Sequence, residues 1–513
     1  MNAQQFLLSK IPSAMARSVF EYSTSQHIAA ILLLATSVLV IYRHYFAPLS
    51  HIPGPWLARY TRLWKLYQYR SGNYHWINVK LHEKYGPIVR VAPGEFSFQG
   101  QEAARVIYDI KTGFSKSTWY RASQAANAKV SSLFTTRDEK IHGRLRRKYA
   151  NAFSLTSLLE QEKYVDSTTA VFAARLEEFA KSGQIFDLER WLRYYAFDVI
   201  GEITFAKRLG FLETGGDVGG IIQSISQQFV YASLVGVYSE LHSYAIRLMG
   251  LLKKGNPAVL KFTTTQIDNR LSETVDPSRK DFLSRFLAQQ KTDPTGFTVD
   301  EVQRGCLSNV TAGSDTTAIS LLSIFYHLMK YPHTMTRLRQ EIDDAIKVGK
   351  ISEPISYKES LQLPYFQAVM KEALRVHGAT GFPLERLVGP DGVVILDTYF
   401  PPGTVVGVNS WVMHYDKDIF GDDAYEFRPE RWLDIGSESY KHLDRSFFAF
   451  GSGSRTCIGK NVSIMEMSKL VPQLLRKFDF ELADKDEEWK LRCAWFVNQH
   501  NVKCRVSKRL RSS

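Results

Sequence analysis

The sequence predicts a mainly α-helical protein with a smaller β part and one transmembrane helix near its N-terminus. An apolar segment at 26–46 has about the 20 residues that a helix needs to cross a bilayer. Apolar residues with helical spacing dominate 139–290, and one long apolar stretch follows at 297–332. Alternating β-branched sequence occurs at 85–98 and again at 384–410. These features predict one large helical domain with a small amount of sheet.

Composition narrows the functional class. The chain has 513 residues, of which 44% are hydrophobic, as is ordinary for a folded enzyme. Four scattered cysteines are too few for a disulfide framework, and no CxxC pair or Cys/His cluster indicates zinc. Lysine and arginine exceed aspartate and glutamate by 65 − 52 = 13, which suits an acidic protein, an anionic membrane or a nucleic acid. No nucleic-acid-binding motif accompanies this excess, so we expect no nucleic-acid partner.

The composition of the apolar segment at 26–46 predicts a membrane anchor. It has no acidic residue, and no lysine or arginine before Arg43. A cleaved signal peptide is the alternative, but no small-residue cleavage site follows. More basic residues follow the segment than precede it, which places the large C-terminal part in the cytosol. The predicted organisation is a tail at 1–25, an anchor at 26–46, a proline-rich connector at 47–56 and one domain at 57–513.

Local signals place several elements of this domain. A Pro-Gly turn within 85–98 predicts a strand pair. Thr298 and Glu301 form a capping box before the long apolar helix, and Pro332 ends it. The 33 residues between these signals would span about 50 Å, so this helix should cross the whole domain. A further helix is predicted at 363–377, and loops are predicted at 212–220 and 253–257.

The stretch FGSGSRTCIG, residues 450–459, raises the question of what Cys457 does. A lone cysteine is usually a small buried hydrophobe. Here its surroundings are glycine-rich, and the sequence after it is helical by pattern. A cysteine near a helix N-terminus and close to Arg455 favours the thiolate, which is what iron or another soft metal requires. A buried filler, a nucleophile of a Cys–His hydrolase and a metal ligand all remain open from this stretch alone.

The same stretch fits the pattern F-x-x-G-x-R-x-C-x-G at Phe450, Gly453, Arg455, Cys457 and Gly459. In this it resembles the haem-binding loop of the cytochrome P450 family. The resemblance implies the cytochrome P450 fold and a heme b whose iron is bound by the thiolate of Cys457, which favours O–O cleavage. Segments at 385–392, 400–416 and 420–433 resemble fungal microsomal members of the pisatin-demethylase-like kind, which often tailor secondary metabolites.

The motif AGSDTT, residues 312–317, lies in the middle of the long helix. Gly, Ser, Asp and Thr weaken or compete with the helical backbone, so a simple kink is one interpretation. The resemblance implies instead that the helix opens here over the haem, with Gly313 beside the cofactor. It further implies that Asp315 and Thr316 relay protons to bound oxygen.

The motif EALR, residues 372–375, has two interpretations. The apolar stripe of its helix puts Glu372 and Arg375 together on the other face, where they would form an ordinary surface ion pair of little energetic value. The resemblance implies that both instead join Arg431, from FRPERW, in a structural lock behind the haem.

The resemblance also implies partners for the two haem propionates, because guanidinium groups pair with carboxylates in a bidentate fork. His142 stands where the family often has tryptophan. The side chains and glycines expected to contact the cofactor, besides Cys457 and Gly313, are His142, Arg146, Arg386, Phe450, Gly451 and Arg455.

The implied function is a haem-thiolate monooxygenase at the endoplasmic reticulum membrane, with its domain in the cytosol. Its expected partners are NADPH-cytochrome P450 reductase, cytochrome b5 as an additional electron donor, the membrane and a lipophilic small molecule. A haem-thiolate isomerase or dehydratase that needs no O2, and a non-catalytic haem sensor, are the alternatives. The residues expected to line an aromatic substrate pocket, each of which could instead be plain core, are Phe114, Trp119, Phe134, Phe229, Phe382, Trp495 and Phe496.

Overall fold

The structure is a computed structural model, and it describes residues 13–124, 130–251, 258–272 and 278–510. The predicted loop at 253–257 lies outside the described residues. The predicted loop at 212–220 contains the end of a short helix and a 3₁₀ turn, Val218–Gly220.

Helices make up most of the described chain, as the sequence predicts. In chain order they are α1 (Ser13–Ile41), α2 (Leu63–Ser71), α3 (Tyr74–Tyr85), α4 (Gln101–Ile107), α5 (Glu139–Ala150), α6 (Leu155–Leu159), α7 (Glu162–Ser182), α8 (Leu188–Phe205), α9 (Phe211–Thr214), α10 (Ile221–Val235), α11 (His242–Leu251), α12 (Ala258–Ser272), α13 (Phe282–Thr292), α14 (Val299–Lys330), α15 (Pro332–Lys347), α16 (Tyr357–Ser360), α17 (Pro364–Val376), α18 (Ser410–His414), α19 (Lys417–Phe420), α20 (Glu438–Arg445) and α21 (Lys460–Leu475).

The strands are short and belong to four sheets. They are β1 (Ile88–Ala92), β2 (Glu95–Phe98), β3 (Ser115–Lys116), β4 (Phe186–Asp187), β5 (Arg386–Leu387), β6 (Val393–Ile395), β7 (Thr398–Phe400), β8 (Val405–Val408), β9 (Phe478–Leu482), β10 (Lys490–Ala494), β11 (Phe496–His500) and β12 (Lys503–Lys508). The largest sheet has the order β1-β2-β8-β5-β3; only its β2–β8 pair is parallel. The others are β4-β12-β9, β6-β7 and β10-β11. The predicted strand pair at 85–98 and the β-rich segment at 384–410 are confirmed.

The apolar segment predicted as the anchor lies at the end of a longer helix. The apolar stretch begins at Gln26, but α1 starts at Ser13, since the residues between contain neither glycine nor proline. A short π-helical turn, Tyr42–Phe46, follows it. Gln26–Phe46 is long and apolar enough to cross a membrane by length and composition, and none of its most apolar window is buried against the domain.

The long helix α14 organises the domain, and its ends lie where the capping signals place them. Thr298 accepts a hydrogen bond from the backbone of Glu301, and the Glu301 carboxylate accepts one from the backbone of Thr298. The helix runs from Val299 to Lys330, one residue shorter than predicted. Its second half, from Ser314 to Met329, is buried at nearly every position. A helix this buried fixes the relative positions of the elements around it.

The structural lock expected behind the cysteine loop is present. Glu372 and Arg375 on α17 are both fully buried, so the surface-pair alternative is wrong. The Arg375 guanidinium donates two hydrogen bonds to Glu372, at 2.9 and 2.8 Å, and Arg431 donates a third at 3.0 Å. The Trp432 indole N–H also donates to this carboxylate, at 2.8 Å. Burial alone would raise the pKa of Glu372, but the two arginines outweigh it and lower that pKa.

Candidate functional site

The cysteine loop is a tight turn built on glycine. The backbone N–H of Cys457 donates to the carbonyl of Phe450 at 2.9 Å, which closes the loop. Gly453 has a φ of +68°, and a Cβ there would lie 1.9 Å from the carbonyl oxygen of Tyr108. Gly451 has a φ of +69° and faces Leu384. The loop glycines at 451 and 453 are therefore required by backbone conformation and by neighbouring protein.

The thiol of Cys457 lies inside the protein yet is accessible. The residue is exposed, while surrounding protein desolvates the thiol and raises its pKa. We interpret the two observations as a thiol that faces an internal void. The backbone N–H groups of Gly459 and Lys460 and the charge of Arg146 partly offset the desolvation. The charges that act on the thiol are those of Arg146 and Lys460, whereas Arg455 pairs with Glu139.

The long helix α14 has a small accessible patch in a region where its other residues are mostly buried. Ala312 is exposed and Thr316 is half-buried, whereas Ser314, Asp315 and Thr317 are buried. The Thr316 hydroxyl donates to the carbonyl of Ala312 at 2.7 Å. The helix remains continuous through the motif, so the expected opening of its backbone is absent. We interpret the patch at Ala312 and Thr316 as another wall of the void that Cys457 faces.

Two contacts fix α14 around this patch. Thr317 donates to the Ser463 hydroxyl at 3.1 Å, which ties α14 to the helix that follows the cysteine loop. A Cβ at Gly313 would lie 2.8 Å from Cδ1 of Ile200 on α8. Gly313, expected beside the cofactor, therefore has a packing role: it lets α8 approach α14 closely.

Asp315 points into a different environment from Thr316. Its carboxylate is 2% exposed and accepts a hydrogen bond from Nε of Arg193 at 2.7 Å. Arg193 also donates to the side chain of Asn498 at 3.2 Å. The predicted acid–alcohol pair is thus divided between two sides of α14, with the acid held by an arginine that the sequence did not single out.

Two arginines clasp the cysteine loop to α5. Arg146, on α5, donates to the carbonyl of Thr456 at 2.8 Å, directly before the cysteine. Arg455, in the loop, reaches back to the carboxylate of Glu139 at 2.6 Å and the carbonyl of Thr136 at 3.0 Å. Arg146 therefore holds the cysteine loop in place, and Arg455 holds the N-terminal end of α5 in place. The clasp places two of the predicted propionate ligands next to the void.

A third and a fourth cation come from the largest sheet. Lys116 on β3 pairs in register with Arg386 on β5, so the two side chains belong to adjacent strands. Lys116 is buried, and its pKa is held well below the usual value by burial and by Arg386 and Arg455. Its ammonium donates to the carbonyl of Phe134 at 2.7 Å. The sequence analysis missed Lys116, because one lysine among aromatic residues carries no spacing signal.

His142 lies within this cluster as a neutral imidazole. Burial, followed by the charges of Arg455, Lys116, Arg146 and Arg386, lowers its pKa to about 3. The carboxylate that counters the buried Lys116 is Glu139. An excess of buried positive charge is costly unless anions neutralise it. The cluster therefore fits a ligand that carries two carboxylates.

Behind the cluster lies a buried ion network that holds β3 and β5 in place. The ammonium of Lys65 donates to Glu385 and, at 2.6 Å, to Glu95. Ser117 donates to the other oxygen of Glu385 at 2.5 Å. Glu385 directly precedes Arg386 in the chain, and Ser117 directly follows Lys116. The network thus pins the backbone of both cationic residues.

Replacing Lys65 with methionine should lower the free energy of unfolding by about 3–5 kcal/mol, because it leaves two carboxylates buried without a cation. Denaturant unfolding of the detergent-solubilised protein measures this loss. Lys80→Met, at an exposed position on α3, is the matched control and should cost under about 0.5 kcal/mol. Equal stability of the two variants would contradict the role given to the network.

Six of the seven aromatic residues expected around a substrate pocket gather in one region. Trp119 stacks on Trp495 with ring centroids 4.7 Å apart, and Phe134 meets the same ring edge-on at 5.3 Å. Phe382 and the contacting pair Phe229 and Phe496 belong to the same cluster. Phe114 does not: it packs with the largest sheet, beside Gly389. Its expected place in the pocket is therefore wrong.

Taken together, an exposed cysteine and an array of cations adjoin the same loop. A thiolate binds soft metals, and the cations suit a dianion, so the residues present fit a metal complex with two carboxylates. The family model described as cytochrome P450 matches residues 53–504. The chain belongs to the cytochrome P450 family. This cytochrome P450 is therefore an oxidoreductase of the monooxygenase type, and its family implies a haem-thiolate iron cofactor, a redox partner and lipophilic substrates.

Several fungal relatives resemble this cytochrome P450 over nearly their whole length. Pisatin demethylase of Fusarium vanettenii is 38% identical over 468 residues, which cover 89% of this chain and 88% of the relative. Cytochrome P450 monooxygenase gsfF of Penicillium aethiopicum is 37% identical over 485 residues, covering 91% and 95%. Cytochrome P450 monooxygenase cicH of Emericella nidulans is 39% identical over 460 residues, covering 88% and 92%.

Proposed function

We propose that this cytochrome P450 is a membrane-anchored monooxygenase that inserts one oxygen atom of O2 into a lipophilic small molecule of secondary metabolism. The other oxygen atom leaves as water, which requires two electrons from NADPH and two protons from solvent. The observation that carries the proposal is the thiol of Cys457, accessible within the interior beside a cluster of buried cations.

In this proposal the cofactor is a heme b. Cys457 would bind its iron through the thiolate, and Phe450 and Gly451 would lie beside it in the loop. Lys116, His142, Arg146, Arg386 and Arg455 would hold the two propionates, with His142 as a neutral hydrogen-bonding partner. When bound, the haem supplies the iron chemistry of oxygen activation, while the protein supplies binding, orientation and electrostatics.

The protein's own contribution to proton delivery would come from α14. Thr316 presents its hydroxyl at the accessible patch, where it can orient water or pass on a proton. Asp315 lies on the other side of the helix, paired with Arg193. It can therefore receive protons from the solvent side and pass them toward Thr316. This division supports an oxygen-activating enzyme rather than an isomerase, which has no need for protons at this position.

The substrate would lie against the aromatic cluster around Trp119 and Trp495. Aromatic rings bury large apolar areas and select lipophilic molecules. Secondary metabolism is supported by relatives such as pisatin demethylase. The electron donors would be NADPH-cytochrome P450 reductase and, additionally, cytochrome b5. The exposed cations Arg147 and Lys460, which flank the clasp and the cysteine loop, suit acidic partners.

The location would be the endoplasmic reticulum membrane, with a single span and the domain in the cytosol. The apolar Gln26–Phe46 segment and the basic residues that follow it support this arrangement. Protease digestion of sealed microsomes, with and without detergent, tests it. Digestion of the domain in intact microsomes is the expected result, and full protection would contradict it.

Consumption of NADPH and O2 by the purified protein with its reductase tests the proposed function. Turnover that requires both would exclude an isomerase, a dehydratase and a passive sensor. Haem incorporation without any consumption of NADPH or O2 would contradict the proposal.

Thr316→Ala should uncouple electron use from oxygen insertion, because protons would no longer be delivered in an orderly way. We expect NADPH consumption to persist while hydrogen peroxide released per NADPH rises several-fold. Thr292→Ala is the matched control, since that hydroxyl makes the same bond to a carbonyl four residues earlier, at the C-terminal end of α13. Unchanged coupling in Thr316→Ala would count against the relay.

A further inference from the structure

A small cavity lies beside Asp315 on α14, and both polar and apolar side chains line it. It has a volume of about 30 Å³, enough for water, and sits between α8, α14 and β11. The polar side chains lining it are Glu189, Arg190, Arg193, Asp315, Asn498 and Gln499. Asp315 thus lines a cavity together with other polar side chains.

Glu189 has an incomplete set of hydrogen bonds at this cavity. One carboxylate oxygen lies 3.3 Å from Nδ1 of His500. The other oxygen is buried and has no hydrogen-bond partner within the part of the chain that the structure describes. A buried carboxylate oxygen without a partner is costly, so a water in the adjoining cavity is its natural partner. His500 is 44% exposed and connects Glu189 to solvent.

We propose that Glu189 is the proton entry point of this enzyme, taking protons from solvent through His500 and passing them by cavity water to Asp315. The inference rests on the proposed function and deepens it by naming residues outside the motif on α14. A proton moves from His500 or solvent to the Glu189 carboxylate, and from there through water to the Asp315 carboxylate. Each carboxylate returns to its anionic form after passing the proton on.

The charged groups around the cavity fit this direction of transfer. Arg193 binds Asp315 on one wall, and Arg190 extends outward toward Asp187 with 67% of its side chain exposed. Gln499 is fixed by its bond to the carbonyl of Ile319, at 2.9 Å, so β11 holds the cavity open against α14. Two cations beside two carboxylates keep the compartment close to neutral, which lets a proton enter without a large electrostatic penalty.

Glu189→Gln is the decisive variant, because it preserves shape and the hydrogen bond to His500 but cannot pass on a proton. The probe is O2 itself, reduced by the full-length chain in phospholipid vesicles with NADPH and the reductase. Release of superoxide consumes one electron and no proton, whereas hydrogen peroxide requires two protons and two electrons. We expect the superoxide share to rise several-fold and the solvent deuterium isotope effect on NADPH oxidation to increase. Glu177→Gln, exposed on α7, is the control and should change neither.

Two further measurements separate a proton path from a purely structural role. If Glu189 and Asp315 act in series, Glu189→Gln should add nothing to the defect of Asp315→Asn, whereas additive defects would contradict the path. A high-resolution crystal structure should show ordered water joining Glu189 to Asp315, and a dry cavity would overturn the inference. A wild-type protein that reduces no O2 refutes the proposed function. A wild-type protein that reduces O2 while Glu189→Gln behaves identically refutes only the entry point.

Discussion

Cys457→Ser is expected to abolish NADPH-dependent turnover and the spectroscopic signature of a thiolate ligand. The accessible thiol is the only group that the cysteine loop offers to a soft metal, and a serine hydroxyl does not ionise near neutral pH as a thiol can. The cation cluster around Lys116 and Arg386 remains intact in this variant. Some haem should therefore still bind, but without the red-shifted carbon-monoxide band.

Cys504→Ser is the control for the loss of a thiol elsewhere. Cys504 is buried against Met329 in the sheet that contains β12, far from the loop in sequence. This variant should keep the red-shifted band even where its stability falls. Retention of that band in Cys457→Ser would contradict the assignment of Cys457 as the ligand.

Glu372→Ala should lower the free energy of unfolding by about 3–5 kcal/mol, as much as the loss expected for Lys65→Met. It leaves Arg375 and Arg431 buried without their anion and deprives the Trp432 indole of its acceptor. Since total stability is typically about 5–15 kcal/mol, this loss removes a large fraction of it, and less protein should accumulate in a haem-binding form. The measurement is denaturant unfolding of the solubilised protein, together with the haem-to-protein ratio.

Glu178→Ala provides a control with the same spacing. Arg175 and Glu178 also form an ion pair three residues apart, but their side chains are 31% and 63% exposed. Such surface pairs contribute under about 1 kcal/mol. Equal losses in the two variants would show that Glu372 is no more than a surface charge.

Local signals predicted the parts of this fold that depend on local chemistry. The capping box at Thr298 and Glu301 and the proline at 332 fixed the ends of α14 to within one residue. The apolar segment at 26–46 coincides with the candidate span Gln26–Phe46, although the helix that contains it begins at Ser13, because hydropathy marks the segment suited to a membrane and not the whole helix. A helix extends beyond its apolar segment where no glycine or proline interrupts it.

The parts that sequence reasoning missed depend on contacts between distant segments. Gly453 is required by a carbonyl at Tyr108, and Asp315 is held by Arg193, and neither partner is marked by any spacing in the chain. Lys116 becomes a site residue only because β3 pairs with β5. The contacts of Arg146 with Thr456 and of Arg455 with Glu139 likewise follow from how α5 meets the loop. Such pairings are set by packing, which a single sequence does not display.

The central claim is that Cys457 binds the iron of a haem through its thiolate. The reduced, carbon-monoxide-bound difference spectrum of membranes that contain the full chain tests it most directly. The account predicts the red-shifted band that a thiolate ligand produces. Its absence from intact, haem-containing protein would contradict the account.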